Sequence, residues 1–318
     1  MALLQFWLRL ELNRMLRGTY TRPCAAEHDD LLLPHPRSLS RADLARVRSC
    51  PDEWTVAAKL DGVRALLVAC VFMGRRCVCA VGRRLDVVVL SEKADGADGL
   101  DGGDGAESRD GLDGLDGLDG LVVVVDAERT GGEYHAHDVF VLSRSSDIAR
   151  RAHAVRMAAV PSAIAELGLG LHVHAKPFVP MHRIAEVASV ASCDGLILAN
   201  ATAPVTFGSG EALLKWKPVT HCSVDLLVER RRCGAYLSRR ASARASNGRK
   251  PLFELELVEV PGQLPCVWEF RHDGERWRPC KPRRDKNTAN SEYVVTQTAL
   301  NIAERITLEE LHETLGPL

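Results

Sequence analysis

Short apolar runs dominate the chain from Trp54 onward and predict a protein built largely of strands. The runs are rich in Val, Ala and Leu and are separated by glycines and basic pairs, which is typical of strands buried on at least one face. The predicted strands of this part cover residues 55–59, 65–72, 77–81, 85–90, 121–126 and 137–142. Ahead of them, the pattern predicts a helix and a loop over residues 1–33, and Ser40 caps a short predicted helix over 41–48.

The second half of the chain alternates helical and strand patterns and becomes strand-dominated after Pro218. Helical spacing covers residues 148–166 and 183–192, with two further helices near 290–300 and 308–315. Strand patterns cover 171–177, 195–199, 223–229, 253–260 and 267–271. The order predicts an α+β fold with a helical extension over 1–33, a first domain over 34–219, and a β-barrel-like domain with C-terminal helices over 220–318.

A Gly/Asp-rich segment over residues 95–120 interrupts the first domain, and its latter part repeats Leu-Asp-Gly. Because fixing so many glycines costs much conformational entropy, the pattern favours a flexible surface insertion between two strands. A calcium-binding repeat is the alternative, although a period of three does not match the nonapeptide repeat of calcium-binding solenoids.

The charge distribution and the cysteines indicate what the protein binds and in which compartment it works. Lys plus Arg total 41 and Asp plus Glu total 42, but the insertion carries a run of aspartates, so the rest of the chain is basic. A basic body attracts a polyphosphate or an RNA end. The 10 cysteines form no Cys-x-x-Cys pair, which predicts reduced thiols in a soluble, intracellular protein. Charged residues within 1–16 argue against a membrane span.

The strongest chemical signal is the hexapeptide KLDGVR over residues 59–64, which lies between two predicted strands. A lysine at a strand end beside a glycine turn can face a pocket, and Lys59 becomes a nucleophile if desolvation and neighbouring cations lower its pKa. Arg64 would offer a fork of donors to a ribose or a phosphate. The alternative is a surface Lys-Asp pair in a hairpin turn.

A second signal is LLKWKP over residues 213–218. Alternation along a strand places Lys215 and Lys217 on one face and Trp216 on the other. Two neighbouring lysines repel each other unless an anion lies between them, and a phosphate chain supplies that anion. An edge strand guarded by solvated charges is the alternative.

Further basic and acidic residues complete a candidate polyphosphate site. Residues 277–290, WRPCKPRRDKNTAN, predict a basic loop suited to phosphate, although a basic surface loop or a localisation signal has the same composition. Glu128 follows the strand 121–126, and Asp194 precedes the strand 195–199. Carboxylates at strand ends near lysines can hold a divalent ion, but each alone is also common in turns.

The order of these motifs resembles the motif series of the covalent nucleotidyltransferases, the superfamily of DNA ligases, RNA ligases and mRNA capping enzymes. The resemblance covers residues 34–305 and is carried by residues 59–64, 126–128, 137–142, 194–198, 214–218 and 277–290. Two features resemble those of the capping enzymes within this superfamily. One is the LLKWKP motif, and the other is the segment after Trp277, in which basic residues are followed by Asp285 and Asn290. Pro36 and Ser38 are also similar to the Pro-x-Ser that leads into the catalytic domain of capping enzymes.

The resemblance implies a GTP:RNA guanylyltransferase, with an ATP-grasp-like nucleotidyltransferase domain followed by an OB-fold domain. Lys59 would be the catalytic nucleophile that takes GMP from GTP as a lysyl-N–GMP adduct and passes it to a 5′-diphosphate RNA. Glu128 and Asp194 would bind Mg²⁺ or Mn²⁺, and Asp194 could instead orient Lys59. The implied nucleotide-binding residues are Arg64, Arg83, Glu128, Phe140, Lys215, Lys217, Arg283, Asp285 and Lys286.

Within this set the implied roles differ. Phe140 would stack on guanine, while Arg64 and Glu128 would hold the ribose. Lys215 and Lys217 would contact the α-phosphate region, and Arg283, Asp285 and Lys286 would close over the β- and γ-phosphates from the second domain. A separate RNA triphosphatase and a separate cap methyltransferase are the expected partners, and the nucleus or a cytoplasmic viral factory is the expected location.

Three positions depart from the family pattern. Lys281 stands where the family usually has arginine, Ala127 where it has glycine, and Cys193 near a usual acidic metal ligand. Two alternatives remain: an ATP-dependent polynucleotide ligase, which would carry adenylate on Lys59, and an inactive homologue that binds RNA or a partner. The joint presence of the motif lysines argues against an inactive homologue, because a pure binding module needs no nucleophilic lysine.

Overall fold

The computed structural model describes residues 2–18, 33–82, 85–94, 119–189, 193–231, 234–238, 266–284, 286, 289–290 and 292–315. Within these residues the chain is a mixed α+β protein with three sheets. The α+β prediction is therefore confirmed. No described helix is long and apolar enough to cross a membrane.

A six-stranded sheet forms the largest part of the fold, in the order β5-β4-β3-β6-β7-β8. Its inner strands read as continuous apolar runs because both of their faces are covered. The strands are β3 (Val63–Phe72), β4 (Arg75–Gly82), β5 (Val87–Ala94), β6 (Gly120–Thr130), β7 (Glu133–Val141) and β8 (Val173–Ala175). Since β5 and β6 lie in the same sheet, the Gly/Asp-rich segment connects two strands of one sheet.

Each face of this sheet packs against one helix. Helix α3 (His153–Leu167) covers one face, where Leu67 and Val125 pack with Val160 of the helix. Helix α1 (Ala2–Gly18) covers part of the opposite face, where its Leu8 packs against Leu66. Helix α1 covers only part of that face. The polar ends of β3, β6 and β7 lie on the part that α1 does not cover.

A five-stranded sheet lies beside the first, in the order β1-β11-β10-β2-β9. Its outer face packs against α2 (Arg41–Ser49), which Ser40 and Asp43 close with a reciprocal capping box, and against α4 (Ile184–Ala188). The strands are β1 (Pro34–Ser38), β2 (Trp54–Leu60), β9 (Val179–Pro180), β10 (Cys193–Asn200) and β11 (Gly208–Trp216).

The third sheet has four antiparallel strands in the order β13-β12-β14-β15. They are β12 (Ser223–Arg231), β13 (Gly234–Ser238), β14 (Cys266–His272) and β15 (Trp277–Pro282). Val224, Trp268 and Phe270 form its core, onto which α5 (Glu292–Glu304) packs Val295. A small antiparallel sheet closed by a helix is compatible with an OB-fold half-barrel.

The C-terminal helices return to the five-stranded sheet. Ile306 and Leu311, the latter in α6 (Leu308–Leu315), join the apolar core beneath α2 and α4. The Trp216 indole Nε1 donates to the Ile306 carbonyl at 2.9 Å, and Arg41 pairs with Glu310. The end of the chain therefore ties the third sheet back to the second.

Several local expectations need correction. Residues 277–282 were predicted as a loop but form β15, because Trp277 and Pro282 pair with β14 at the edge of its sheet. Pro34–Ser38 was not predicted as a strand, yet it pairs in parallel with β11. Helix 183–192 begins at Ile184 and its described part ends at Ala188. The predicted strand 253–260 lies outside the described residues.

Candidate active site

Lys59 lies at the end of β2, and its side chain faces Asp194 at the start of β10. The Lys59 Nζ is 2.9 Å from Asp194 Oδ1, while Lys217 Nζ is 2.5 Å from the other oxygen, Oδ2. Burial alone would raise the pKa of Asp194, but Lys217 and Lys59 outweigh it and hold that pKa below its usual value. One carboxylate thus fixes two lysine ammonium groups side by side.

The hexapeptide that contains Lys59 crosses from one sheet to the other. Leu60 ends β2 in the five-stranded sheet, and Val63 begins β3 in the six-stranded sheet. A Cβ on Gly62 would lie 2.5 Å from the Arg129 carbonyl oxygen, so only glycine allows this close crossing. The glycine therefore lets Lys59 and Arg64 emerge from two sheets into the same space.

Gly195 serves a similar purpose beside Asp194. A Cβ at this position would lie 2.1 Å from the Trp216 carbonyl oxygen, so β10 and β11 approach closely only because residue 195 has no side chain. Trp216 is buried, while Lys215 and Lys217 on either side of it lie near Asp194. The alternation predicted for residues 215–217 is confirmed.

Arg64 is held by a fully buried carboxylate. Its Nε donates to Asp126 Oδ1 at 2.8 Å, its Nη2 donates to the other Asp126 oxygen, and its Nη1 donates to the Pro34 carbonyl at 2.5 Å. His137 Nε2 also lies 3.4 Å from Asp126. Burial opposes ionisation of Asp126, but Arg64 and then His137 outweigh it and hold its pKa well below its usual range. A ribose-binding role for Arg64 stays a prediction.

Glu128 faces a lysine that the sequence analysis did not single out. Lys176 lies between β8 and β9 and is only 8% exposed. Burial lowers its pKa to about 8, with Glu128 opposing that shift and Lys59 adding to it. Burial likewise raises the pKa of Glu128, against the attraction of the surrounding cations. The dipeptide Lys176-Pro177 in a predicted strand was the available signal, because a lysine in an apolar segment requires a compensating anion.

We expect Lys176→Met to stabilise the protein at neutral pH and to weaken its activity. The folded-state pKa of about 8 lies below the usual lysine value of 10.5, so holding Lys176 charged in its buried position costs stability at pH 7. Removing the charge should raise the free energy of unfolding by a few kcal/mol at pH 7. Thermal unfolding at pH 7 and at about pH 10 checks this, because the gain should shrink as Lys176 of the folded wild type loses its proton above its pKa of about 8.

Lys215 completes a group of cations around Asp194. Burial lowers the pKa of Lys215, and the positive charges of Lys217 and Lys59 lower it further. Among the described residues its ammonium group forms no hydrogen bond or ion pair, although the charge of Asp194 attracts it. The site thus has more positive than negative charge, which suits a polyphosphate.

Three predicted nucleotide-binding residues lie elsewhere or outside the described residues. Phe140 is fully buried in the core beneath α1, with its ring 5.6 Å from the ring of Phe207 in an edge-on contact. In this arrangement Phe140 offers no exposed face to a base, so its stacking role stays a prediction. Arg83 and Asp285 lie outside the described residues.

Arg283 and Lys286 gather around a carboxylate of the third sheet. Arg283 Nη1 lies 3.0 Å from Asp225, whose other contact is with the Lys286 ammonium. Asp225 is 4% exposed, and Asn290 closes the group through hydrogen bonds to the Asp225 backbone. Sequence reasoning missed Asp225, since a lone aspartate in a strand does not reveal which cations lie opposite.

Of the two predicted metal ligands, Glu128 is the one whose carboxylate no described residue engages. Both oxygens of Asp194 are engaged by lysines, whereas Glu128 has no ion pair or hydrogen bond in the described part of the chain. No group of three or more metal-binding side chains occurs among the described residues. Glu128 nevertheless fits a magnesium ion of the kind held by one or two carboxylates together with substrate phosphates.

Comparisons with known proteins return distant structural neighbours, and no family model matches the chain. Mycobacterial DNA ligase D complexed with ATP and MES is 14% identical, with 83% of this chain and 100% of that chain covered and a TM-score of 0.41. ATP-dependent DNA ligase from bacteriophage T7 in complex with ATP is 11% identical, covering 62% and 71% at a TM-score of 0.39. The ligase domain of M. tuberculosis LigD is 16% identical, covering 80% and 94% at a TM-score of 0.35.

Proposed function

We propose that the protein is an mRNA guanylyltransferase that transfers GMP from GTP through Lys59 to the 5′-diphosphate end of an RNA. The observation that carries the proposal is Lys59, which pairs with Asp194 beside Lys217 and lies near Lys215, whose ammonium pairs with no described residue. A purely structural lysine needs one carboxylate partner and no surrounding cations. A lysine that attacks a phosphate needs both a partner that orients it and cations for the charge of the substrate.

In the first step, the α-phosphorus of GTP lies next to the Lys59 nitrogen. The Lys59 ammonium gives one proton to Asp194 Oδ1, which is 2.9 Å from Nζ, and the resulting amine attacks the phosphorus. The bond from phosphorus to the pyrophosphate oxygen breaks as the P–N bond forms, and pyrophosphate leaves with the second proton of the attacking nitrogen. Lys215 and Lys217 stabilise the charge that develops on the phosphoryl oxygens, because they are fixed before the reaction begins.

In the second step, an oxygen of the terminal RNA phosphate attacks the same phosphorus from the side that pyrophosphate left. The P–N bond breaks, the new P–O bond completes the cap, and the Lys59 nitrogen takes back the proton held by Asp194 and a second proton from solvent. A divalent ion held by Glu128 and the substrate phosphates would neutralise phosphate charge when it is bound. Choice of guanine over adenine is proposed from the LLKWKP motif and the basic motif that follows Trp277.

Arg283 and Lys286 contribute from the third sheet. We infer that Asp225 holds these two side chains in place and that the β- and γ-phosphates of GTP attract them in the first step. Cations carried on a separate sheet can approach for the first step and withdraw afterwards, which allows pyrophosphate to leave and RNA to enter.

Covalent labelling of the purified protein tests the proposal. The protein is incubated with Mg²⁺ or Mn²⁺ and α-labelled GTP, with α-labelled ATP in parallel, and is then separated on a denaturing gel. We expect a labelled band with GTP alone that disappears when pyrophosphate is added. A band with ATP alone would identify a polynucleotide ligase instead, and no band with either nucleotide would identify an inactive binding homologue.

A further inference from the structure

The outer face of helix α1 exposes large apolar side chains. Leu3, Phe6 and Leu10 follow one another at spacings of three and four residues, which places them on one face, and they are 70%, 62% and 52% exposed. The inner face of the same helix is apolar too, with Leu8 fully buried against the six-stranded sheet. A helix that is apolar on opposite faces is typically covered on both, so we expect a second surface to cover the outer face.

The exposed apolar surface continues from α1 onto the turn between β3 and β4. On one flank of the helix, Trp7 packs on Phe72 at the end of β3 with ring centroids 5.2 Å apart, and Met73 in the turn is 71% exposed. On the other flank, Gln5 Nε2 donates to the Leu85 carbonyl near the opposite end of these strands. A contiguous exposed apolar surface often marks a site of interaction. We call this surface the outer patch, and it consists of Leu3, Phe6, Leu10 and Met73.

Both ends of the Gly/Asp-rich insertion leave the sheet beside this turn. At the end of β5, Ala94 pairs with Arg75, and at the start of β6, Gly120 pairs with Val71. Their partners lie on the two strands that the β3–β4 turn connects. Residues 95–118 are therefore tethered at both ends next to the outer patch.

The last repeat of the insertion lies among the described residues and already contacts this region. Asp119 Oδ1 accepts a hydrogen bond from the Gly74 backbone N–H in the β3–β4 turn, at 3.4 Å. Leu121, which continues the Leu-Asp-Gly pattern, packs at the margin of the apolar cluster beneath α1. The aspartate of this repeat thus contacts the turn, and its leucine contacts the core that α1 covers.

The composition of the preceding repeats is complementary to the outer patch. Residues 95–118 contain seven aspartates, one glutamate and one arginine, and leucine recurs at every third position from 112 to 118. On α1, the exposed Arg9 and Arg14 lie beside the apolar side chains, and Arg14 is 3.9 Å from its neighbour Glu11. A segment of leucines and aspartates therefore matches an apolar surface bordered by arginines.

We propose that the Leu-Asp-Gly repeat of the insertion docks on the outer patch, with its leucines on Leu3, Phe6 and Leu10 and its aspartates beside Arg9 and Arg14. The tether at both ends holds the repeat at an effective concentration of about 1 mM or more, so weak contacts are sufficient. The outer patch lies at the opposite end of β3 from the KLDGVR hexapeptide. The inference therefore does not depend on the proposed function.

A peptide added to the full-length protein tests the docking. In an exchange variant, a Gly/Ser segment of the same length replaces residues 96–118, which removes the proposed occupant and leaves the outer patch. The probe is a fluorescein-labelled peptide with the sequence of residues 109–121. Phe6→Ser in the exchange variant alters the patch, and Val155→Ser is the matched control, because Val155 is 50% exposed on α3, on the other face of the sheet. Circular dichroism and thermal unfolding establish that each variant is folded.

The measurement is the affinity for the labelled peptide by fluorescence anisotropy. We expect the exchange variant to bind the peptide, and the wild type to bind it about tenfold more weakly because its own insertion competes. Phe6→Ser should weaken binding to the exchange variant about tenfold, whereas Val155→Ser should leave it unchanged. Binding should also weaken at high salt and with a peptide in which asparagine replaces each aspartate, since both changes reduce the attraction to the arginines.

Several outcomes would overturn this inference, whether or not a GTP adduct forms. Absence of peptide binding to the exchange variant would remove the repeat as the occupant. Equal affinity in the wild type and the exchange variant would show that the insertion does not cover the patch. A wild-type dimer, measured by light scattering, that Phe6→Ser dissociates would assign the patch to a second copy of the chain. Wild-type binding to vesicles of phosphatidylcholine and phosphatidylserine that Phe6→Ser abolishes would assign it to a lipid surface.

Discussion

Lys59→Arg should abolish the covalent nucleotide adduct while leaving the protein folded. Arginine keeps a positive charge beside Asp194, but its guanidinium does not lose a proton near neutral pH and cannot attack phosphorus. Asp194 keeps its ion pair with Lys217. Loss of the Lys59–Asp194 contact should therefore lower the free energy of unfolding by only about 1 kcal/mol. Labelling with α-labelled GTP followed by a denaturing gel measures the adduct, and circular dichroism measures the fold.

Lys217→Ala is the matched comparison, because Lys217 shares Asp194 with Lys59 and differs in its proposed role. Loss of a group that only stabilises developing charge should slow adduct formation by about 10²–10³-fold without abolishing it. Mass spectrometry of the digested adduct should place the nucleotide on the peptide that contains Lys59. An adduct of normal yield in Lys59→Arg, or a label on another lysine, would remove Lys59 from the role of nucleophile.

The positions of Lys59, Lys215 and Lys217 could be predicted from sequence because each depends on local structure. A strand end followed by Asp-Gly predicts where the chain turns, and alternation in a strand predicts which side chains share a face. The structure adds that Gly62 permits a close approach at the crossing between the two sheets and that Gly195 permits a close approach of β10 and β11 within one sheet. Local pattern thus predicted the residues but not the distances between them.

The contacts of the carboxylates Asp194 and Asp225 and the burial of Lys176 could not be predicted from the sequence. Asp194 was expected to bind a metal or to orient Lys59, and in the structure it contacts Lys59 and Lys217. Lys176 was missed because its burial results from the packing of two sheets, and no local pattern reports that packing. Asp225 was missed for the same reason, since its partners lie about sixty residues away in the chain.

The structure also shows contacts that the motifs did not predict for two residues, whose nucleotide-binding roles stay predictions. Arg64 was expected to hold ribose, yet its guanidinium contacts Asp126 and the Pro34 carbonyl. Phe140 was expected to face guanine, yet it packs in the apolar core with Phe207. Motif order identifies which residues belong near a site, but burial and hydrogen bonding decide which of them can reach a ligand. For Arg64, the structure makes a prediction about stability that the motif alone does not.

Arg64→Leu should be among the most destabilising single substitutions in the protein. Asp126 is 1% exposed, and the substitution removes both of its hydrogen bonds to Arg64. Removing one partner of a buried ion pair costs about 3–5 kcal/mol, and here only His137, whose Nε2 lies 3.4 Å from Asp126, would remain beside the charge. Urea unfolding at pH 7 measures the loss, and Arg64→Leu combined with Asp126→Leu should recover most of it, since no unpaired charge then remains.

The pH dependence of this loss identifies its cause. In the wild type, Arg64 holds the folded-state pKa of Asp126 below the usual aspartate value of 3.8, so the stability that the pair contributes is present above that pH and is lost as the pH falls toward the folded pKa. In Arg64→Leu, burial without a guanidinium should raise the pKa of Asp126, so the carboxyl protonates and its cost falls at about pH 4.5. The difference between wild type and variant should therefore be smaller at about pH 4.5 than at pH 7. An equal difference at both pH values would show that lost packing, rather than an unpaired Asp126 charge, destabilises the variant.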